Sequence, residues 1–249
     1  MSAILETRNL CKSFGALVVA EDITFRLEAG ARHALIGPNG AGKTTFVNML
    51  TGLLAPSSGR VLLAGEDVTR LPQAARVKRG VGRTFQINTL FSDMTVLDNV
   101  ALGIAERQGV AGRLWGAASR HRQVCEETFG LLDSLGLAED ARTRVVDLPY
   151  GKQRLVEIAI ALGLRPRVLL LDEPAAGVPS LESGMILQVL DRLPAEIGIL
   201  IIEHDMNVVF RFAQRITVLV DGKILCEGSP AEIAGDPRVQ RVYLGEQYG

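Results

Sequence analysis

Apolar and polar residues alternate from the start of the chain. Residues 4–14 (ILETRNLCKSF) and 18–28 (VVAEDITFRLE) read as strands, the second with Ile23, Phe25 and Leu27 at every other position. Gly30 turns the chain into a short buried strand, ARHALIG (31–37). TTFVNMLTGLL follows with Phe46, Met49, Leu50 and Leu53 at helical spacing. PSSG (56–59) breaks that helix, and RVLLAGEDV returns as a strand with a hairpin-like Gly65. Between about Asn88 and Gly163 the pattern becomes helical: Val124, Thr128, Leu131 and Leu135 form the stripe of an amphipathic helix. Residues 107–123, with three glycines and four arginines, read as a mobile or partner-facing loop.

Short apolar runs then alternate with helices again: RVLLLDE, SLESGMILQVLDRL, IGILIIEHD, MNVVFRFA and RITVLVDG. Such alternation implies a mostly parallel sheet covered on both faces. The expected fold is therefore α/β, one domain over 1–249. Residues 1–87 and 164–249 form a core with an antiparallel β subdomain at the N-terminus. Residues 88–163 form an inserted α-helical subdomain. No internal repeat or low-complexity tract is present.

Composition narrows the classes. The chain has 249 residues, 47% hydrophobic, and a net charge of −1, so no global field recruits nucleic acid or anionic lipid. Cys11, Cys125 and Cys226 form no CxxC pair, which argues against a zinc site or disulfide framework and for a reducing compartment. The N-terminus lacks the apolar core of a signal peptide. The apolar run at 158–164 is far below the ~18 residues of a membrane span, so the chain is expected to be soluble and cytoplasmic.

The chemistry concentrates in GPNGAGKTT (37–45). Gly37, Gly42, Lys43 and Thr44 satisfy G-x-x-x-x-G-K-[ST] between a strand and a helix. Glycines let successive N–H groups converge on phosphate oxygens, and a helix N-terminus adds partial positive charge. Lys43 would reach the β- and γ-phosphates, and the Thr44 hydroxyl would ligate Mg²⁺. RVLLLDE brings Asp172 and Glu173 to the end of a buried strand, where ligands bind in open α/β sheets. Asp172 would hold Mg²⁺ through water, and Glu173 would orient and polarise the attacking water. His204 ends another buried strand. A lone histidine is usually structural, yet here it lies at the same sheet edge and could hydrogen-bond a γ-phosphate. Gln86 can ligate Mg²⁺ or water through its amide oxygen. Phe14 reads equally well as half-buried core or as a stacking platform for adenine. Gly151, in LPYGKQR (148–154), opens an amphipathic helix with a small N-terminal nest, too remote along the chain to serve its own cradle.

In order and spacing, GPNGAGKTT, Gln86, LPYGKQR, LLLDEP and His204 resemble an ATP-binding cassette ATPase with a P-loop NTPase core, over essentially the whole chain. The resemblance implies ATP and Mg²⁺ as cofactors. It also implies Phe14 on adenine, with Gly37, Pro38, Asn39, Gly40, Ala41, Gly42, Lys43, Thr44 and Thr45 on the phosphates. Thr44, Gln86 and Asp172 would surround the metal. Glu173 would be the general base and His204 the γ-phosphate switch. In that family two cassettes dock head-to-tail, so Pro149, Tyr150 and Gly151 would act in trans as the signature turn. Two segments depart from the pattern. The usual L-S-G-G-Q is L-P-Y-G-K here, and Pro149 offers no hydroxyl or N–H, leaving the Gly151 backbone, the helix dipole and Lys152. Pro179 stands where the dimer-facing loop normally carries an aspartate.

Within the family, RTFQ (83–86), MTVLDNV (94–100), the YG-type signature, LDEPAAG (171–177), IEHDM (202–206) and RVYLGE (241–246) are most similar to ATPases of branched-chain amino-acid importers. The tail and DEPxAG also resemble the ATPase of lipopolysaccharide export. The implied partners are a second ATPase subunit, integral-membrane permeases and, indirectly, a solute-binding protein, at the cytoplasmic face of the membrane. A soluble cassette acting on nucleic acid is disfavoured by the near-zero net charge and the single cradle.

Overall fold

The structure, a computed structural model, describes residues 3–84, 90–111, 118–178 and 180–245. In chain order these form β1 (Ala3–Phe14), β2 (Leu17–Glu28), β3 (Arg32–Ile36), α1 (Lys43–Thr51), β4 (Ser58–Leu63), β5 (Glu66–Asp67), α2 (Gln73–Val77), β6 (Val81–Arg83), α3 (Val96–Arg107) and α4 (Ala118–Ser134). They continue as α5 (Tyr150–Gly163), β7 (Val168–Asp172), α6 (Ser180–Asp191), β8 (Gly198–Ile202), α7 (Met206–Phe212), β9 (Arg215–Val220), β10 (Lys223–Gly228), α8 (Pro230–Gly235) and α9 (Pro237–Gly245). They group into two compact units: Met1–Val81, Arg167–Pro174 and Pro194–Gly249 in the first, Gly82–Pro166 and Ala175–Leu193 in the second.

The first unit holds an antiparallel sheet, order β2-β1-β4-β5, and most of a mixed sheet, order β10-β9-β3-β8-β7-β6. In the mixed sheet β9, β3, β8 and β7 run parallel, and β10 folds back antiparallel on β9. The alternation in β2 buries Ile23, Phe25 and Leu27, as expected. These residues join Leu35, Phe46, Met49, Leu50, Leu170, Leu200 and Leu219 in one core. Each fully buried side chain of this size contributes about 2 kcal/mol. Phe25 meets the Phe46 ring edge-on at 5.6 Å. The β4–β5 connection is a two-residue turn with Ala64 and Gly65 both at positive φ, the hairpin that Gly65 suggests.

Helix α1 is shorter than its apolar spacing indicates. It stops at Thr51 because Gly52 takes the left-handed conformation (φ 80°), and Leu53 lies beyond it, exposed. The orphan carbonyls of its last turn are satisfied from a distance. The fully buried Arg76 guanidinium donates to Met49 O (2.7 Å), Leu50 O (2.8 Å), Thr69 O (2.8 Å) and Leu71 O (3.1 Å).

The second unit packs α3 against α4 and α5, with Val100, Ile104, Leu132, Leu135, Leu155 and Ile158 buried. Val124, Thr128 and Leu132 are buried along α4 and Leu135 just beyond its end; Leu131 is only partly buried, so Leu132 is the more enclosed of the two. Thr128 is tolerated there because its hydroxyl donates to Val124 O at 2.7 Å. The segment expected as a loop over 107–123 is helical at its two ends, since α3 runs to Arg107 and α4 begins at Ala118. Arg107 anchors the end of α3 by donating to Gly163 O (2.8 Å) and pairing with Glu127 (2.6 Å). Residues 175–193 have their contacts in this unit, although the sequence assigns them to the flanking core. The reason is that α6 packs on α5, burying Ile186, Leu187 and Leu190.

Candidate functional site

The mixed sheet sets the position of the first group of residues. Leu35 of β3 lies beside Ile202 of β8, which lies beside Asp172 of β7. The carboxyl ends of three parallel strands are therefore flush, and Gly37, Asp172–Glu173 and Glu203–His204 emerge at one sheet edge.

The turn at 37–42 is built by glycines for two distinct reasons. A Cβ on Gly37 would stand 2.1 Å from Leu219 O, and one on Gly42 would stand 2.6 Å from Val19 O, so both are needed for close backbone approach. Gly40 instead has φ 79° and open space around it, so it is there for its backbone conformation rather than for close approach. The β9–β10 turn supports it from beneath: Gly222 N donates to Ala41 O (3.0 Å), and Gly222 O accepts from Glu21 N (2.8 Å). Gly222 is itself at φ 76°, with Val19 O only 2.5 Å from where its Cβ would be. Pro38 O accepts from Ala41 N at 3.2 Å, Asn39 and Gly40 are exposed, and Phe46 N donates to Gly42 O.

Helix α1 then begins with no acidic residue in its first turn and no side-chain cap on Gly42. Its N-terminal dipole is therefore unopposed and suited to an anion. Thr44 and Thr45 lie in that first turn, Thr44 exposed. The Lys43 ammonium arches back over the loop and donates to Gly37 O (2.6 Å) and Pro38 O (2.8 Å).

Asp172 closes β7. Glu173 follows with φ 46°, left-handed for a non-glycine residue, and is held there by its N–H donating to Ile202 O (2.9 Å). Its carboxylate lies 3.5 Å from His204 Nδ1, and the buried Glu203 carboxylate is 3.9 Å from the same nitrogen. Glu203 also accepts the His204 backbone N–H at 3.2 Å. The three groups form a contiguous carboxylate–imidazole cluster that Glu203 completes from the interior; sequence reading overlooked it although it precedes His204.

Phe14 ends β1 and is 51% exposed, so half of its surface is open to a ligand. It pairs with Leu17 across the hairpin, and Leu17 and Val18 are exposed as well. The same strand carries Val19, whose carbonyl abuts Gly42 and Gly222, so this apolar patch adjoins the cradle. Lys12 Nζ lies 4.9 Å from the Phe14 ring centroid.

Beneath the cradle, β3 carries a buried histidine that sequence reading did not single out. His33 Nε2 lies 2.8 Å from Thr217 Oγ1, whose own proton goes to Glu227 Oε2 (2.8 Å), and Glu227 pairs with Arg215. Since Thr217 donates onward, the neutral ring carries its proton on Nε2. Burial pushes the His33 pKa down to about 4; Glu227 opposes the shift and Arg215 adds to it.

The second group belongs to the other unit. Pro149 is the N-cap of α5 and makes no side-chain cap bond; Tyr150 and Gly151 are its first helical residues. Lys152, expected to be available at the signature turn, is paired with Asp140 at 2.7 Å. One turn further, Arg154 and Glu157 form a buried pair at 2.7 Å, in which burial pushes the Glu157 carboxyl up despite Arg154. Gln86 and Pro179 lie outside the described residues.

A hard divalent cation suits oxygen donors of the kind Thr44 and Asp172 provide, completed by phosphate oxygens. No group of three or more His, Cys, Asp or Glu side chains forms a self-sufficient metal site among the described residues.

A family model described as "ABC transporter" matches residues 20–176, and one described as "Branched-chain amino acid ATP-binding cassette transporter" matches residues 223–249. The chain is 37% identical over 250 residues to the high-affinity branched-chain amino acid transport ATP-binding protein BraF of Pseudomonas aeruginosa, covering 98% of each. It is 38% identical over 249 residues to the lipopolysaccharide export system ATP-binding protein LptB of Acidithiobacillus ferridurans, covering 100% of this chain and 99% of LptB. Among solved structures, the ADP conformation of MJ1267, an ATP-binding cassette of an ABC transporter, superimposes with a TM-score of 0.86 at 31% identity, covering 98% of this chain and all of that one.

Proposed function

This chain belongs to the ABC transporter ATPases, and from that premise we propose that it hydrolyses ATP to drive a membrane importer of branched-chain or related amino acids or amides. The observation that carries the importer reading is the C-terminal match over residues 223–249. The second reading, a lipid or lipopolysaccharide exporter, is favoured by the full-length similarity to LptB.

The triphosphate lies against the 37–42 turn, where backbone N–H groups and the α1 dipole meet its charge. Lys43 exchanges its two loop carbonyls for β- and γ-phosphate oxygens. Adenine stacks on Phe14. Thr44, Asp172 and Gln86 would hold Mg²⁺, which supplies charge neutralisation on the phosphates. Glu173 accepts a proton from the attacking water, and His204 contacts the γ-phosphate. The strained backbone of Glu173 fixes that carboxylate relative to the strand end.

Pro149, Tyr150 and Gly151 engage nucleotide held by a second ATPase subunit, homologous or identical. With Lys152 committed to Asp140, the trans contact relies on the Gly151 backbone and the α5 dipole. Closure of such a pair requires only that ATP bind the closed state more tightly than the open one. No described helix is long and apolar enough to cross a membrane, so the transport path is assigned to separate permease subunits at whose cytoplasmic face this chain docks.

The test is reconstitution of the ATPase with its permeases in vesicles. Stimulation of ATP hydrolysis by an amino-acid-loaded binding protein, with uptake of that amino acid, supports import. Stimulation by lipopolysaccharide or lipid alone replaces import with export, and no hydrolysis in either arrangement refutes the ATPase assignment.

A further inference from the structure

The loop directly after the general base and the signature turn touch within one unit of one chain. Gly177 sits at φ 72°, and a Cβ placed on it would lie 3.3 Å from the Tyr150 hydroxyl oxygen and 3.4 Å from ring atoms Cε1 and Cζ. The Tyr150 ring is thus seated on the bare backbone of Gly177. The Arg154 guanidinium carbon lies 5.7 Å from the same ring's centroid, within cation–π range.

Arg154 has little freedom. It is 7% exposed and bonded to Glu157, which is 4% exposed, at 2.7 Å. The pair is incompletely satisfied: Arg154 Nε and Glu157 Oε1 have no hydrogen-bond partner among the described residues. Buried ion pairs of this kind add little stability. Here the evident effect of the pair is to hold a cation against Tyr150. Tyr150 also stands where the usual signature has a glycine, which could make no such contact.

We propose that Tyr150 is a positioning residue that latches the loop at 175–178, immediately beyond Glu173, to the signature turn of its own chain. Nucleotide engaged at that turn thereby restrains the loop. This inference rests on the paired-ATPase reading above, in which the turn acts on a neighbour's nucleotide. The latch links the two events through one aromatic contact in a chain whose sequence has Pro179 where the family pattern has an aspartate.

The test separates the latch from the activity by using two readouts on the full chain. The first is amide hydrogen exchange without nucleotide. Tyr150→Ala should speed exchange at 175–178, and Gly177→Ala should speed it reciprocally at the start of α5, each by about tenfold or more. Tyr150→Phe, which keeps the ring, should restore most of the protection lost in Tyr150→Ala. The second is ATP turnover in a double-mutant cycle. Gly177→Ala also strains a backbone at φ 72°, so the Tyr150→Ala/Gly177→Ala pair should lose less than the product of the two single losses, the shared part being the latch that either change opens. Unchanged exchange at 175–178 in Tyr150→Ala overturns the proposal whatever the chain hydrolyses, and so do turnover losses that simply multiply.

Discussion

Replacing His33 with glutamine should remove a specific acid sensitivity of the first unit. In the folded chain His33 is enclosed by Phe25, Thr217 and the strands around β3, and its pKa is pushed from 6.5 to about 4. The unfolded chain has no such enclosure and titrates near the ordinary value. Between these two values the unfolded state binds a proton that the folded state refuses, so stability falls as pH falls. The sign is that of a histidine buried neutral: no loss above about pH 6.5, a growing loss below it, and completion near pH 4. The full gap corresponds to about 3 kcal/mol, of which about 2 kcal/mol has gone by about pH 5. That is a large fraction of an ordinary folding free energy.

The assay is urea unfolding followed by circular dichroism from about pH 7.5 to about pH 5, on wild type and His33→Gln in parallel. Glutamine can still donate to Thr217 but does not titrate, so carboxylates common to both proteins cancel in the difference. The variant should start less stable at neutral pH through imperfect packing and then lose less on acidification, the gap narrowing by about 2 kcal/mol. Curves that stay parallel would refute the argument, because they would mean that His33 binds its proton equally in both states.

Lys43→Ala removes the only side-chain cation within the phosphate turn, and ATP affinity should fall by about a hundredfold or more, measured by equilibrium binding of a fluorescent ATP analogue. Glu173→Gln keeps shape but not basicity. It should retain ATP while turnover drops by about a hundredfold or more, and an ATP-dependent dimer should accumulate in size-exclusion chromatography. Arg76→Leu deletes four hydrogen bonds, two of them to buried carbonyls at the end of α1 and two to part-buried carbonyls beside it. It should cost about 3 to 5 kcal/mol, read as a lower urea midpoint, and its failure to destabilise would show that water replaces the guanidinium.

Much of the site could be read from the chain because its parts are short and local. The turn at 37–45 carries its own glycines, cation and helix start, and the acids at Asp172 and Glu173 follow an apolar run with no ambiguity of face. Phe14 was ambiguous because alternation fixes which face of a strand a residue occupies, not whether anything covers that face. Leu53 was misplaced because Gly52 ends the helix by a change of backbone sign that hydrophobic spacing does not record. Lys152 looked available at the signature because its partner, Asp140, comes from a separate turn of chain. Leu132 of α4 is more enclosed than Leu131 because both satisfy a period of 3.6 and packing chose between them.

The sequence by itself determined the strand–turn–helix cradle, the acidic strand end and the membership in the ABC transporter ATPases, all properties of contiguous residues and their order. Only the tertiary structure decided what braces them: Gly222 and Val19 under the turn, Arg76 across the end of α1, Glu203 behind His204, His33 on Thr217, and Tyr150 on Gly177. Apart from Glu203, which adjoins His204 in sequence and is set by the burial of its own side chain, each of these depends on two distant segments meeting at hydrogen-bond or van der Waals range. Periodicity reports which side of an element faces inward and carries no information about which neighbour it will find there.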